Sequence, residues 1–512
     1  MSRIGRTLAV SLMGLDGYVV EVEALVQRGL PSFVLVGLPD TSLGESRDRV
    51  RAAFAASGLQ FPEYRVTVNL SPASLPKSGS GFDLAIAVAV LASAALIDPE
   101  RNQKVVYLGE LALDGRTRPV RGILPAVVAA KAAGYRRVVV SPGNATEAKL
   151  VDGVKVLEVV SLADLAQKLG AQVDKVPPVE PAAGQVRPHR QAGPELDLTE
   201  VLGQPEARKA LEIAAAGGHH LLMTGPPGTG KTMLAARLPG LLPPLSEREA
   251  VEVTAIHSVA GVLRAEDGLI TKPPFQAPHH TATPAAIVGG GTGLPRPGAV
   301  SLAHRGVLFL DEAPEFNVRV LQTLRQPLER GEVVIHRAAG MARFPAEFHL
   351  VMAANPCPCG QGWGQGQACK CTSIAKRRYF GRLSGPLLDR MDMVVGVEPA
   401  SGLSLNKTAS GESTAAVARR VAKARIRQRQ RFAKLGWRLN SQAPGAYLRS
   451  QVEPGTYIDK TLRRSLDQGY LSLRGADRVL RVAWTVADLG GQDAPTSDDL
   501  DLALLLRLRA VS

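Results

Sequence analysis

Cysteine is nearly absent: four residues in 512, all between Cys357 and Cys371. That excludes a disulfide-stapled secreted framework and fits a reducing cytoplasm, the expected location. Long apolar runs are missing too. The longest, Leu84 to Ile97, is bracketed by Asp83 and Asp98 and falls short of the ~20 residues a bilayer requires, so a buried helix is expected and no membrane partner. The N-terminal Arg3 and Arg6 followed by Thr7 to Leu15 imitate a signal peptide, but the apolar part stops at Asp16 without a convincing cleavage site, and it reads as a strand. Acid is short relative to base: 47 Asp and Glu against 61 Lys and Arg, a net charge of +14 and a pI near 9.8. A polyanionic partner follows, nucleic acid before an anionic membrane surface. Aromatic residues make up only 4% of the chain, so base stacking is a minor term beside backbone electrostatics, and binding should be salt-sensitive and tolerant of sequence.

What is present centres on one stretch. The apolar run Leu221-Leu222-Met223-Thr224 leads into Gly225, Pro226, Pro227, Gly228, Thr229, Gly230, Lys231 and Thr232, followed by Met233 to Leu238. Strand, glycine-rich loop and helix in that order make a phosphate site: backbone N–H groups turn inward, Lys231 reaches the β- and γ-phosphates of ATP, and the Thr232 hydroxyl ligands Mg²⁺. The alternative for the pattern alone is a Gly/Pro turn. A second buried strand, Gly306 to Leu310, ends in Asp311 and Glu312. Asp311 suits the metal, and Glu312 suits orienting or deprotonating the attacking water; the bland alternative is a pair of helix-capping acids. A third, His349 to Ala354, ends at Asn355, whose amide suits sensing the γ-phosphate.

Length and composition suit two to four domains. β-rich and helical stretches alternate over 1–170, giving an α/β or α+β domain. A proline-rich linker is expected over 171–196. Strands and helices alternate around the phosphate loop over 197–399, as in a parallel sheet with helices on both faces, and 400–512 is mostly helical.

These motifs resemble the AAA+ superfamily and, within it, the magnesium-chelatase-like ATPases of the ComM/YifB family. The resemblance is carried by Gly203-Gln204, Ala210 to His220, Ala277-Pro278-His279-His280-Thr281, Gly289-Gly290-Gly291, Ser301 to His304, Gly306 to Glu312, Leu324 to Glu329, Asn355 to Gly360 and Gly385 to Arg390. It implies a P-loop parallel sheet with a helical lid and a ring, expected to be a homo-hexamer, that hydrolyses ATP between subunits. It also implies a motor acting on single-stranded or branched DNA as a helicase in recombination during natural transformation. Under it, Arg390 is the arginine finger offered to a neighbour and Arg474 the second sensor, each otherwise a solvated ion-pair residue. The sequence departs from the family pattern at Gln276, Ala299 and Arg305, and its last helix lacks the usual closing Tyr-Arg.

The resemblance also implies a hairpin before the first sensor. Glu332 to Arg337 alternates like a strand, Ala338-Ala339-Gly340 turns, and Arg343 lies on the return; Arg337 and Arg343 are the candidate DNA contacts. The basic run Arg419, Arg420, Lys423, Arg425, Arg427, Arg429, Arg431 and Lys434 reads equally as a solvated helix face or a nucleic-acid contact. His279 with His280, and His219 with His220, read as structural histidines rather than metal pairs. Cys357, Cys359, Cys369 and Cys371 suit one tetrahedral Zn²⁺, with reduced thiols in a loop as the alternative.

Leu75 to Asp83, Gly109 to Gly115 and Ala129 to Gly143 resemble the proteolytic domain of Lon proteases, with its ribosomal S5 domain 2-like fold. The positions aligning with the Lon serine and lysine are Gly81 and Leu124, so no peptidase activity is expected. Two other readings stand beside the DNA motor: a chelatase-type remodeller driving metal insertion into a tetrapyrrole through a partner protein, and an ATP-dependent protease.

Overall fold

The computed structural model describes residues 3–37, 41–75, 77, 79–173, 196–264, 268–291, 295–337, 340–364, 368–383, 385–399 and 411–508. Most of the expected linker, and the hairpin turn at Ala338 and Ala339, lie outside them.

The N-terminal unit is built on a seven-stranded sheet. In chain order its elements are β1 (Ile4–Met13), β2 (Asp16–Gln27), β3 (Ser32–Val36), α1 (Ser46–Ala56), β4 (Arg65–Ser71), α2 (Asp83–Ser93), β5 (Val105–Leu108), α3 (Ile123–Ala132), β6 (Arg137–Val140), β7 (Lys155–Glu158) and α4 (Leu162–Lys168). The sheet order is β3-β4-β2-β1-β5-β6-β7. β1, β2 and β4 pair antiparallel, whereas β5, β6 and β7 run parallel. The long β1–β2 ribbon keeps its register from Ile4↔Leu25 to Met13↔Asp16. α2 is apolar around most of its circumference and nearly all of it is buried, as a helix without a polar face must be.

The central unit holds α5 (Pro205–Gly217), β8 (Leu221–Thr224), α6 (Lys231–Leu241), α7 (Glu247–Ala260), β9 (Phe275–Gln276), β10 (Val307–Leu310), the hairpin β11 (Glu332–Arg337) and β12 (Gly340–Pro345), β13 (His349–Ala354), α8 (Ser373–Gly381) and β14 (Met393–Gly396). Its central sheet is parallel throughout, in the order β9-β10-β13-β8-β14. β10 and β13 are buried along their whole length, which is why both read as unbroken apolar runs.

The C-terminal helices are α9 (Thr414–Arg431), α10 (Tyr457–Asp467), α11 (Leu473–Gly490) and α12 (Ser497–Leu508). One apolar cluster runs from the sheet through Val421, Trp484 and Leu506, so these helices share a core with the sheet. A second cluster covers the opposite face.

The two units also touch. α7 packs on α3, and Ala255 enters the N-terminal core. The half-buried Glu147 carboxylate accepts from Leu124 N–H at 2.8 Å and from the Ser258 hydroxyl. Leu124 is fully buried, so the position that aligns with a catalytic lysine is part of an apolar joint. Arg305 adopts φ 59°, a region in which asparagine is favoured; here carboxylates of Glu252 and Glu347 hold the longer side chain.

Candidate nucleotide site

β8 ends at Thr224 between β13 and β14, so the loop that follows opens at the carboxyl ends of three parallel strands, where such sheets bind ligands. Gly228 and Gly230 take φ of 77° and 91°, which L side chains rarely adopt and which curl the backbone N–H groups inward. Lys231 opens α6. Its ammonium donates to Gly225 O at 2.7 Å, Pro226 O at 2.8 Å and Asn355 Oδ1 at 3.2 Å. Burial lowers its pKa, against the opposing pull of Asp311 and Glu312. Thr232 Oγ1 donates to Asp311 Oδ2 at 2.7 Å, so two hard oxygen donors of the kind Mg²⁺ prefers stand side by side. Glu312 follows at φ 50°, its N–H on Asp311 Oδ1 at 3.0 Å. The five residues read from three separate strand ends therefore meet in one place.

Two neighbours of these residues are not read from the sequence as part of this site: His280, which reads there as a structural loop histidine, and Tyr379. His280 Nδ1 lies 3.8 Å from Glu312 Oε2, and its ring packs on His279 with centroids 4.1 Å apart. The buried Tyr379 on α8 hydrogen-bonds the Asn355 backbone. Adjacent histidines and a lone tyrosine carry no spacing signal; only the tertiary fold brings them to the acids.

Residues 22–144 match the family described as subunit ChlI of Mg-chelatase, 197–405 magnesium chelatase subunit ChlI, and 411–507 its C-terminal part. The chain is 51% identical to the Mycobacterium tuberculosis protein Rv2897c over 98% of both chains. It is 42% identical to competence protein ComM of Haemophilus influenzae, over 94% of this chain and 92% of that one, and 40% identical to YifB of Escherichia coli, over 97% and 95%. The chain belongs to the ComM/YifB family of magnesium-chelatase-like AAA+ ATPases. Its N-terminal part is also similar to Lon proteases, 30% identical over 167 residues to Lon protease 2 of Bacillus subtilis.

In this ComM/YifB-family ATPase, Arg390 precedes β14 while the phosphate loop follows the parallel β8, so the two lie at opposite ends of the sheet. Arg390 pairs with Glu329 and donates to Pro386 O, and its buried Nε has no partner among the described residues. Burial and the nearby Arg325, Arg478 and Arg474 lower its pKa. The fold thus clusters the two candidate arginines away from their own Lys231. Arg343 is exposed on β12, with Glu332 at 3.9 Å, and its backbone packs on the β1–β2 turn at Gly14. Arg337 ends β11, and its side chain lies outside the described atoms.

The basic run lies on α9 and, at Lys434, in the turn just beyond it, and half of it is engaged within the chain. Arg420 pairs with Glu212 and Glu412, Arg425 donates to Ala215 O, Arg427 to Gly491 O, and Arg431 pairs with Asp488 while lying 4.4 Å from the Trp484 ring. Arg419, Lys423, Arg429 and Lys434 have no such partner among the described residues. The four cysteine sulfurs all lie within 4.8 Å of one another, a group that could hold a metal ion.

Behind the sheet, His219 Nε2 meets Thr485 Oγ1 at 2.7 Å and His220 Nδ1 accepts from Leu350 N–H at 3.0 Å, joining lid and sheet. Burial pushes His220 down to about 4 and His349 well below its ordinary value. An unfolded chain protonates both near 6.5, so between pH 6.5 and 4 it binds protons that the folded chain refuses, and stability is lost as pH falls through that window. We expect the thermal unfolding midpoint of the lid, followed by tryptophan fluorescence, to drop between pH 7 and 5. A His220→Gln chain should lose part of that pH dependence. An unchanged midpoint over this range would contradict the assignment.

Proposed function

We propose that this ATPase is a ring motor, assembled as a homo-hexamer, that couples ATP hydrolysis to movement on single-stranded or branched DNA, acting as a branch-migration helicase in recombination. The reading is carried by the convergence of Lys231, Thr232, Asp311, Glu312 and Asn355 on one loop. Thr232 and Asp311 would hold Mg²⁺, which when bound neutralises charge on the phosphates. Lys231 binds the phosphate chain, Glu312 orients water and takes its proton, and Asn355 holds the water or the γ-phosphate in line. Arg390 and Arg474 act across the subunit boundary on the neighbour's transferring group. In this reading units 1–170, 197–399 and 400–512 are the Lon-like, motor and lid domains.

DNA as cargo is supported by the charge of +14, by exposed Arg343, and by the relative that is named a competence protein. A chelatase-type remodeller is favoured by the family descriptions and disfavoured by the basic charge. A protease is disfavoured by Gly81 and by the buried Leu124. The test is migration of a labelled DNA junction with and without ATP, beside Lys231→Ala. Wild-type protein should move the junction and the variant should not. Affinity for the junction should fall by roughly 10³ between 50 and 200 mM salt if six or more phosphates are contacted. Hydrolysis unaccompanied by junction movement would reject the helicase.

A further inference from the structure

The cysteine loop leaves β13 immediately beyond Asn355 and returns into α8, so both of its ends meet the same sensor: Asn355 precedes Cys357 by two residues, and Tyr379 on α8 bonds the Asn355 backbone. Between those ends Cys357 and Cys359 lie 3.3 Å apart, Cys357 and Cys369 3.6 Å, and Cys359 and Cys369 3.7 Å. All four cysteines are free thiols. Four sulfurs each ~2.3 Å from one Zn²⁺ stand ~3.8 Å apart at the corners of a tetrahedron, so these three edges are close to those of a coordination shell, and the fourth sulfur lies within 4.8 Å of the others.

The backbone is arranged around the sulfurs as well. N–H groups of Gly362, Gln361 and Cys359 point at the sulfurs of Cys357, Cys359 and Cys371, the outer-shell bonds that orient thiolate ligands. Gly362 approaches so closely that a Cβ there would lie 3.0 Å from Cys357 Sγ. The loop also touches the nucleotide site directly. Gly360, at φ 76°, lies against Pro227 of the phosphate loop, where an added Cβ would come within 2.7 Å of the proline ring.

We propose that Cys357, Cys359, Cys369 and Cys371 bind one Zn²⁺, and that the ion serves as a clasp which holds Gly360 against Pro227 and fixes Asn355 for ATP turnover. The soft, all-thiolate set selects zinc over the oxygen-seeking Mg²⁺ of the nucleotide site. Closing the loop removes the freedom of the sensor strand's exit, so the ion acts on hydrolysis without touching the phosphates. The four residues are positioning residues for that reaction. The clasp rests on the proposed ATPase reading, while the metal site does not.

The full chain is purified without added metal and its zinc and iron are measured by atomic emission. One zinc per chain is expected in wild type and in Lys231→Ala, and much less in a Cys359→Ser/Cys371→Ser chain, which leaves the buried Cys357 unaltered. Gly360→Ala is expected to keep its zinc, because all four thiols remain, yet to lose roughly tenfold or more in ATP turnover, because the new Cβ displaces Pro227. Binding of a fluorescent ATP analogue separates the two claims. Zinc far below one per chain, or iron in its place, overturns the site. Full zinc in wild type, with turnover unchanged both in Gly360→Ala and in the zinc-depleted double variant, overturns the clasp. Failure of the ATPase reading shows instead as no turnover in wild type despite full zinc.

Discussion

A Glu312→Gln chain is expected to bind ATP with near wild-type affinity and to hydrolyse it roughly 10² to 10³ times more slowly. In the proposed mechanism this carboxylate is the group that accepts a proton from water: Asp311 is engaged by Thr232 at 2.7 Å, and Asn355 receives Lys231 at 3.2 Å. The amide keeps the size and the hydrogen-bond reach of Glu312 while removing its basicity. Binding of the triphosphate therefore survives and turnover does not. Lys231→Ala should behave differently. Its ammonium lies among the loop carbonyls at 2.7 and 2.8 Å, so its removal should weaken nucleotide binding as well as turnover. Equilibrium binding of a fluorescent analogue and steady-state phosphate release distinguish the two variants. Equal loss of affinity in both would remove Glu312 from the role of base.

The phosphate loop and the acidic strand end were legible because each is local: an apolar run, a loop chemistry and a helix follow one another within a dozen residues, and no distant partner is needed to define them. The same holds for the β11–β12 hairpin, where alternation over Glu332 to Arg337 is matched by the register Val334↔Arg343. Legibility ended where a side chain's partner comes from elsewhere in the chain. The arginines of α9 look alike in sequence, yet Arg420 and Arg431 are drawn into pairs with Glu212 and Asp488 while Arg429 is left exposed. His280 reads as a loop histidine until β10 brings Glu312 to 3.8 Å. The cysteines declare a soft ligand set by type, but their shared centre, and the contact of Gly360 with Pro227, exist only once β13 and α8 are placed.

Arg390 and Lys231 stand at opposite ends of parallel β14 and β8, and this separation yields the second large effect. If the arginine acts within its own subunit, Arg390→Ala and Lys231→Ala each inactivate the chain and a mixture of the two stays inactive. If it acts on the neighbour, each variant alone should fall by about 10³ in turnover, and the mixture should recover activity. A site between an Arg390→Ala subunit, whose phosphate loop is intact, and a Lys231→Ala subunit, whose arginine is intact, has every group it needs. With random assembly into a closed ring about one site in four is of this kind, so recovered ATP turnover should approach that fraction of wild type and depend on the mixing ratio. Arg474 lies near enough to Arg390 to depress its pKa, so Arg474→Ala should be rescued by the same partner. A mixture no more active than its components, at concentrations where the ring is assembled, would place the arginines outside the shared site.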